Sequence, residues 1–388
     1  MSSQYNITNM VIYLDLFLIL IATIGLGLGA QRIGLPVVVG QLLAGVLLGP
    51  SLLNIVQISH SINLMAEIGV MILMFIVGLE TDINQLKANI KPSLVVAFLG
   101  AVCPMVGFYF LAQAYHFSPE QALFWGVVFA ATSVSITAEV LNEYHQLKTT
   151  AGATILGAAV ADDILAVVSL TGFIAVFGEV SGHQQPLWLQ GVLAIGFFIG
   201  LYLVSRFILP TFVRVATAMP LPAMPGLVGM LLALGAGTAA EFAGISAVVG
   251  SFFVGVAIAS LPQAHKMRSE TVAIGYGIFI PIFFASIGLK ISFAGLADKW
   301  GFLLVMTLAA IMTKWVGAGL GAKLAGLNNS AANVIGLGMV SRGEMALIVA
   351  NIGLEAHVIN RGIYSDLAII ILASTIFAPI ALRKVLVK

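Results

Sequence analysis

The sequence predicts an all-α integral membrane protein, on the basis of its composition, its hydropathy pattern and an internal repeat. Hydrophobic residues make up 60% of the 388 residues and charged residues only 9%, whereas about 25% of an average soluble protein is charged. Apolar runs of membrane-spanning length follow one another along the whole chain. We therefore expect 13 transmembrane helices, arranged as two inverted six-helix repeats with crossed broken helices.

Composition also limits the expected partners. A net charge of +1 gives no electrostatic reason to expect nucleic acid. The single cysteine, Cys103, excludes an internal disulfide and a cysteine metal cluster. Residues 1–9 carry no basic side chain, so the first apolar run is predicted to be a retained span and not a cleaved signal peptide. We expect membrane lipid around the protein and no cofactor.

Polar residues, prolines and glycines divide the apolar sequence into the predicted spans. In chain order these spans cover residues 10–30, 35–49, 63–81, 92–113, 120–142, 150–177, 188–209, 224–243, 244–261, 270–289, 300–324, 331–354 and 364–384. Because their number is odd, the two termini are expected on opposite sides of the membrane.

Basic residues provide an independent test of this count. Those that lie at the ends of odd-numbered spans, or in the loops that follow, are Arg32, Lys87, Lys91, Lys148, Arg206, Arg214, Lys266, Arg268, Lys323, Arg383, Lys384 and Lys388. The equivalent even-numbered positions hold only Lys290, Lys299 and Arg361. By the positive-inside rule, this asymmetry predicts a multi-pass protein of the cell membrane with its N-terminus outside and its C-terminus in the cytoplasm.

An internal repeat in the sequence supports the division of the chain into two halves. Residues 34–40 read Gly-Leu-Pro-Val-Val-Val-Gly, and a similar Gly-Ile-Ser-Ala-Val-Val-Gly follows 210 residues later. At the same offset, Gly78-Leu79-Glu80 corresponds to residues 288–290. Matching spans lie seven apart and therefore cross the membrane in opposite directions, with the seventh span joining the halves. Inverted repeats with a binding site near the midplane are the architecture of secondary transporters.

Asp162 and Asp163 are adjacent carboxylates near the middle of the sixth span. A charge at that depth costs about 2.5–3.5 kcal/mol on insertion scales, so we interpret the pair as functional. Neighbouring residues on a helix point about 100° apart. One aspartate can therefore face a partner charge while the other faces a cavity, where it can hold either a proton or a metal ion.

The fifth span and its repeat mate, the twelfth, both carry polar residues at mid-membrane. The fifth contains Thr132, Ser133 and Ser135, and the twelfth contains Arg342 and Glu344. These clusters predict helices that unwind, which is tolerated at that depth only where protein or water satisfies the backbone. We expect Arg342 and Glu344 to neutralise the like dipole ends of the two broken helices. The alternative is that the hydroxyl groups bond back to their own helix.

Lys314 is a further intramembrane charge, near mid-depth in the eleventh span. A buried ammonium group needs a partner, and Asp162 and Asp163 are the carboxylates at that level. The alternative is that its long side chain extends to the interface. Glu139 in the fifth span is ambiguous, with a place at the inner mouth of the pathway as one interpretation.

These features together resemble a known family. They are the Asp162-Asp163 pair, the polar break at residues 132–137, the Phe-Ile-Val-Gly-Leu-Glu sequence at residues 75–80, Lys314, and the Ser-Arg-Gly-Glu break at residues 341–344. The combination resembles the bacterial monovalent cation:proton antiporters of the second superfamily branch, of the NapA and GerN type. The resemblance covers essentially the whole chain and all 13 predicted spans.

The resemblance implies a homodimer whose protomers each contain a dimerisation domain and a mobile transport domain. The implied divisions are 1–91 for dimerisation helices 1–3, 92–187 for transport helices 4–6, 188–223 for linker helix 7, 224–298 for dimerisation helices 8–10 and 299–388 for transport helices 11–13. Such a protein works by an elevator-like alternating-access mechanism.

The resemblance also implies roles for individual residues. Asp163 would be the principal cation and proton carboxylate, and Asp162 would pair with Lys314. Residues 132–135 would supply hydroxyl or backbone oxygens to the ion, and the substrate would be a monovalent cation. In this family the aspartate pair with a lysine accompanies electrogenic sodium/proton exchange.

Three other functions remain as alternatives. A flexible oxygen cage does not fix ion size, so a potassium/proton or mixed-cation electroneutral exchanger is the nearest one. A passive channel would carry flux without coupling to protons. An intramembrane aspartyl protease needs two carboxylates from separate chain segments that share a proton about 3 Å apart. Neighbours on one helix diverge, and this disfavours the protease. We expect no enzymatic activity.

Overall fold

The computed structural model describes residues 2–33, 35–50, 52–81, 83–177, 187–290 and 296–387, in which every regular element is a helix. The first half contains α1 (Ser2–Arg32), α2 (Val37–Leu48), α3 (His60–Glu80), α4 (Ile83–Ala88), α5 (Ile90–Ala114), α6 (Pro119–Ala130), α7 (Val134–Glu143) and α8 (Thr150–Phe177). The second half contains α9 (Leu187–Leu203), α10 (Leu209–Thr217), α11 (Met224–Phe242), α12 (Ala247–Ile258), α13 (Ala264–Ile274), α14 (Ile280–Leu289), α15 (Leu296–Leu324), α16 (Asn329–Gly338), α17 (Glu344–Glu355) and α18 (Arg361–Leu386). Short π-helical segments, Val204–Ile208 and Gly275–Phe279, join α9 to α10 and α13 to α14.

Ten helices in the described chain are long and apolar enough to cross a membrane. They are Val11–Arg32, His60–Glu80, Ile90–Ala114, Pro119–Glu143, Thr150–Leu170, Gly191–Thr217, Met224–Phe242, Ala264–Leu289, Lys299–Leu324 and Arg361–Leu386. Three shorter apolar helices are Val37–Leu48, Ala247–Ile258 and Met345–Leu354. Large apolar side chains such as Phe207 and Ile195 lie exposed on the outside, as a lipid-facing surface requires. The prediction of an all-α, multi-pass membrane protein is therefore confirmed.

Polar caps mark where several of these helices begin. The side chain of Ser118 accepts a hydrogen bond from the Gln121 backbone amide at the start of α6. At the start of α16, the side chain of Asn328 accepts one from the Ala331 backbone amide. An N-cap satisfies an amide that has no partner within the helix. Helices α6 and α16, which are the first segments of the two broken helices described below, therefore each begin at a defined residue.

The helices pack in two sets. In one set α5 packs against α6, α8 and α15, and α15 packs against α16 and α18. In the other, α3 packs against α12 and α14, while α2 packs against α1 and α14. Helix α7 contacts α8 and α18 of the first set and α2 and α3 of the second. It therefore lies where the two sets meet.

Glycines allow the closest helix crossings in the second set. Helix α2 crosses α14 where Gly45 meets Gly288, and α3 crosses α12 where Gly78 meets Gly255. A Cβ atom added at Gly45 would collide with the backbone carbonyl oxygen of Ala285. Helices in membranes associate through close packing of small residues, because lipid supplies no hydrophobic driving force between them.

We expect the substitution Gly45→Leu to destabilise the fold by about 1–3 kcal/mol, because the added atoms have no space to enter between α2 and α14. The matched control is Gly25→Ala on α1, where an added Cβ atom meets nothing within 4 Å. The measurement is the midpoint of thermal unfolding in detergent. An unchanged midpoint for Gly45→Leu would show that this crossing is not close-packed.

Candidate ion-binding site

Two helices unwind inside the protein. Helix α6 ends at Ala130 and α7 begins at Val134, with Ala131 and Ser133 in extended backbone conformations. Helix α16 ends at Gly338 and α17 begins at Glu344. Each break leaves backbone amides and carbonyls without helical partners, so other protein groups must satisfy them.

The two breaks cross and bond to each other. The Ser133 backbone amide donates to the Ser341 carbonyl oxygen at 2.9 Å, and the Ser341 hydroxyl donates to the Ser133 carbonyl oxygen at 2.6 Å. The Thr137 hydroxyl donates to the Gly338 carbonyl oxygen at 2.5 Å. All four residues lie in the interior, away from solvent and lipid. The predicted broken helices are thus present, and small hydroxylated side chains join one to the other.

Lys314 lies fully buried on α15, beside the end of α6. Its Nζ atom donates to the Ala130 carbonyl oxygen at 2.5 Å and to the two carboxylate oxygens of Asp162 at 3.2 and 3.3 Å. Asp162 is 1% exposed. One ammonium group therefore compensates both a buried carboxylate and the negative C-terminal end of a helix. Lys314 does not extend to the interface.

Arg342 is the second fully buried cation. Its Nη2 atom donates to the carbonyl oxygens of Phe129 at 2.8 Å and Ala310 at 3.1 Å. The guanidinium carbon also lies 5.0 Å from the centroid of the Phe129 ring, within the range of a cation–π interaction. Arg342 and Lys314 thus bind consecutive carbonyl groups in the last turn of α6. The neutralisation of helix dipole ends by Arg342 and Glu344 stays a prediction.

Asp163 occupies a different environment from its neighbour. Its side chain is half-buried and lines a small cavity. Helices α3 and α12 contribute Met74, Val248, Val249 and Phe252 to this cavity, and α8 itself contributes the remaining wall. The 100° rotation between adjacent helical residues thus directs one carboxylate toward Lys314 and the other toward the boundary between the two helix sets.

The predicted hydroxyl residues lie in the first break. Thr132 is 4% exposed, and its hydroxyl oxygen has no hydrogen-bond partner among the described residues. The hydroxyl oxygens of Ser133 and Ser135 lie 3.0 Å apart. A buried hydroxyl group without a partner costs about 1–3 kcal/mol. Oxygen atoms of this kind are the ligands that hard cations prefer.

The Glu344 side chain lies outside the described part of the chain, although its backbone begins α17. One contact at this break was not predicted. The Thr375 hydroxyl on α18 donates to the Arg342 carbonyl oxygen and, at 2.7 Å, to the Ile371 carbonyl oxygen. The signal for it in the sequence is a hydroxyl group within the thirteenth apolar span, but hydropathy does not indicate which neighbour it contacts.

Buried charged side chains next to two crossed broken helices define this chain as a polytopic membrane protein with polar groups in its interior. Residues 17–388 match the sequence profile of the family described as "Sodium/hydrogen exchanger, transmembrane". The chain therefore belongs to the sodium/hydrogen exchanger family of transmembrane proteins, which confirms the resemblance that the residues indicated.

Sequence relatives and a solved structure are similar to this protein over almost the whole chain. The sequence is 38% identical over 369 residues to a Na(+)/H(+) antiporter of Enterococcus hirae, covering 95% of this chain and 96% of that protein. It is 33% identical over 371 residues to the Na(+)/H(+)-K(+) antiporter GerN of Bacillus cereus, covering 96% and 95%. The fold is similar to that of the sodium proton antiporter MjNhaP1 from Methanocaldococcus jannaschii, with a TM-score of 0.70 and 18% identity over 98% of this chain and 99% of that chain.

We expect the substitution Lys314→Met to destabilise the protein by about 3–5 kcal/mol, because it leaves the Asp162 carboxylate buried and unpaired. The double substitution Asp162→Asn/Lys314→Met should recover part of this loss, since it removes both charges. The measurement is a double-mutant cycle on thermal unfolding in detergent. Strictly additive effects would mean that the two side chains do not interact.

Proposed function

We propose that this protein is a secondary active antiporter that exchanges sodium or another monovalent cation for protons across the cell membrane. The main support is that the two adjacent aspartates lie in different environments. Asp162 is held by Lys314, while Asp163 lines a cavity at the boundary between the two helix sets. The named activities of the Enterococcus hirae and Bacillus cereus relatives, both cation/proton antiporters, support this assignment.

In the proposed cycle, Asp163 carries the ion and the proton in turn. A proton leaves the Asp163 carboxyl group, and the carboxylate then binds a cation that has lost its water. Oxygens from Thr132, Ser133 and Ser135 complete the ligand set, and Asp162 lies beside it. On the opposite side of the membrane a proton displaces the cation. Exchange is obligatory because the Asp163 site, when it holds neither a proton nor a cation, carries a charge into the membrane at a high energetic cost.

Lys314, Arg342 and Glu344 have supporting roles in this proposal. Lys314 balances Asp162, and Arg342 holds the last turn of α6 in place for the break. We assign Glu344 to charge compensation at the second break on the basis of the sequence. The pairing of Asp162 with Lys314 matches the feature that accompanies electrogenic exchange in the resembled family, so we propose electrogenic transport.

We also propose an elevator-like mechanism with two domains in each protomer of a homodimer. Residues 92–187 and 299–388 form the transport domain, residues 1–91 and 224–298 form the dimerisation domain, and residues 188–223 link them. The packing of α5, α6, α8, α15, α16 and α18 on one another supports this division. So does the position of Asp163, whose cavity has one wall on α8 and another on α3 and α12.

The full topology proposed is 13 spans in two inverted repeats, with the N-terminus outside and the C-terminus in the cytoplasm. Ten long helices and three shorter apolar ones are consistent with this count. The glycine crossings support the repeat. The pair Gly45 and Gly288 maps onto the pair Gly255 and Gly78 when 210 is added to the first number and subtracted from the second.

The same offset relates two contacts between α5 and α15. An added Cβ atom at Gly107 would lie 2.7 Å from Thr313, and one at Gly317 would lie 2.7 Å from Cys103. Adding 210 to residue number 107 gives 317, and subtracting 210 from residue number 313 gives 103, so the second contact is the repeat equivalent of the first. Equivalent contacts at equivalent positions are what two structural repeats related by a pseudo-two-fold axis produce.

A potassium/proton or mixed-cation electroneutral exchanger is the second candidate. The relative GerN is named a Na(+)/H(+)-K(+) antiporter, and it matches almost the whole chain. The oxygen ligands of the proposed site also do not by themselves select between sodium and potassium.

We expect Asp163→Asn to abolish cation-driven proton flux in proteoliposomes, because an amide cannot alternate between a proton and a cation. The protein should still fold, as judged by gel filtration. The matched control is Asp15→Asn, which removes a buried carboxylate on α1, far from the site in the helix order. Retained exchange in Asp163→Asn would contradict the role proposed for Asp163.

A flux measurement decides between the sodium/proton antiporter and the mixed-cation electroneutral exchanger. Proton flux is recorded on addition of sodium, lithium or potassium, with the membrane potential either clamped or free. We expect flux driven by sodium that responds to the membrane potential. Equal flux with potassium, or flux indifferent to the potential, would instead support the mixed-cation electroneutral exchanger.

A further inference from the structure

A second polar cluster lies between the two helix sets, away from the aspartate pair. The hydroxyl group of Tyr276, in the π-helical segment between α13 and α14, donates to a carboxylate oxygen of Glu139 on α7 at 2.5 Å. The Asn142 amide nitrogen lies 3.4 Å from the same hydroxyl oxygen. Glu139 is 8% exposed. Tyr276 was not singled out in the sequence, and Glu139 was left ambiguous there.

A cavity of about 450 Å³ lies next to this cluster. It is lined by polar and charged side chains of α3, α7, α13 and the loop between α7 and α8, including Glu80, Asn142, His145, Lys148 and Arg268. Lys148 and Arg268 belong to the basic residues that the positive-inside rule assigns to the cytoplasm. The cavity therefore has the character of a water-accessible mouth.

The larger cavity and the smaller cavity at Asp163 share two bordering helices. Helix α3 contributes Leu79 to the larger cavity and Met74 to the smaller one, which are about 7.5 Å apart at 1.5 Å per residue. Ala259, directly after α12, lines the larger cavity, and Phe252 of α12 lines the smaller. Both cavities are thus bordered by the same two helices at different depths.

Glu139 lies deeper along α7 than the residue of that helix that lines the larger cavity. Asn142 lines the larger cavity, and Glu139 is three residues, or about 4.5 Å, closer to the break in the fifth span. On the opposite side, an added Cβ atom at Gly275, next to Tyr276, would lie 2.9 Å from Ile72 and 3.4 Å from Ile76 of α3. The hydrogen bond between Tyr276 and Glu139 therefore links α7, near the larger cavity, to a segment beside the part of α3 that borders the smaller cavity.

We propose that Glu139 and Tyr276 form an inner gate, which closes the route between the larger cavity and Asp163 for protons and monovalent cations. This inference rests on the proposed function, because it concerns access to the proposed ion carboxylate. Opening requires the two helix sets to separate at α7, which breaks the hydrogen bond. The released Glu139 carboxylate then faces the route and offers oxygen ligands to a cation that is losing its water.

The bond is suited to this role by its chemistry. A charge-assisted hydrogen bond is stronger than a neutral one, yet it is a single contact that can break and reform. Helix α7 has a second bond to the same helix set, since Glu143 accepts a hydrogen bond from the Val37 backbone amide at 3.2 Å. Glu139 and Glu143 are four residues apart and share one face of α7. π-helical segments such as the one that carries Tyr276 are frequent at functional sites.

The experiment measures access to the cavity at Asp163 directly. A Cys103→Ala background removes the only native thiol, and Val249→Cys places a reporter in the wall of the Asp163 cavity. A small, cationic methanethiosulfonate reagent is added to either face of membrane vesicles without an ion gradient. We expect Tyr276→Phe and Glu139→Ala each to raise the labelling rate about fivefold when the reagent is added on the side of the larger cavity. The reason is that the loss of one net hydrogen bond raises the population of the open gate by about that factor.

Two controls separate the gate from general loosening of the fold. Glu139→Gln keeps an oxygen acceptor for the Tyr276 hydroxyl but loses the charge, so it should raise the labelling rate less than Glu139→Ala does. Tyr202→Phe removes an exposed hydroxyl on α9 and should change nothing. Unchanged labelling in both Tyr276→Phe and Glu139→Ala, or an equal rise from the opposite face, would overturn the gate. If one variant fails to elute as a folded protein in gel filtration, the other carries the test.

Sodium-driven proton flux of the unsubstituted protein, measured in parallel, tests the proposed function separately from the gate. Exchange in the unsubstituted protein together with unchanged labelling in the variants would reject the gate and leave the proposed function standing. Absence of exchange in the folded, unsubstituted protein would reject the proposed function, while the labelling rates would still report whether Glu139 and Tyr276 separate the two cavities.

Discussion

Backbone that leaves the helical conformation inside a membrane must have its amide and carbonyl groups satisfied by protein, and the interior of this molecule is arranged around that constraint. The two breaks solve part of the problem for each other, since Ser133 and Ser341 exchange hydrogen bonds through backbone and hydroxyl groups. Lys314 and Arg342 satisfy the end of α6, where they bind the carbonyls of Ala130 and Phe129. Two buried cations are thereby fixed next to the first break.

Those cations in turn determine what the aspartates can do. A buried ammonium needs a carboxylate, and Asp162 provides one, so that charge is compensated without any ion. Asp163 projects from the same helix toward a cavity that has a wall on α3 and α12. A site of this kind combines a fixed charge pair with an adjustable carboxylate at a boundary between helix sets. That combination suits a group that alternates between a proton and a cation.

Helix α7 connects this chemistry to the rest of the fold. Its first residues follow the break, and its second half bonds to the other helix set through Glu139 and Glu143. Glycine crossings such as that of Gly78 with Gly255 keep α3 and α12 in close contact on the facing side of the boundary. In the proposed gate α7 is the part of the boundary that separates, because single polar bonds join it to that side.

The sequence by itself determined the helical membrane fold, the family, the positions of both breaks and the presence of buried charges, because hydropathy and local polarity are properties of neighbouring residues. From depth alone, either aspartate was available to Lys314, and only the resemblance indicated Asp162. The rotation of α8 is not encoded in its hydropathy, since the helix is apolar on every side around the pair. Packing decided that rotation, as it decided which carbonyls Arg342 binds and that Tyr276 reaches Glu139 across 137 residues of sequence. Contacts between distant segments depend on how whole helices pack, so only the tertiary structure could supply them.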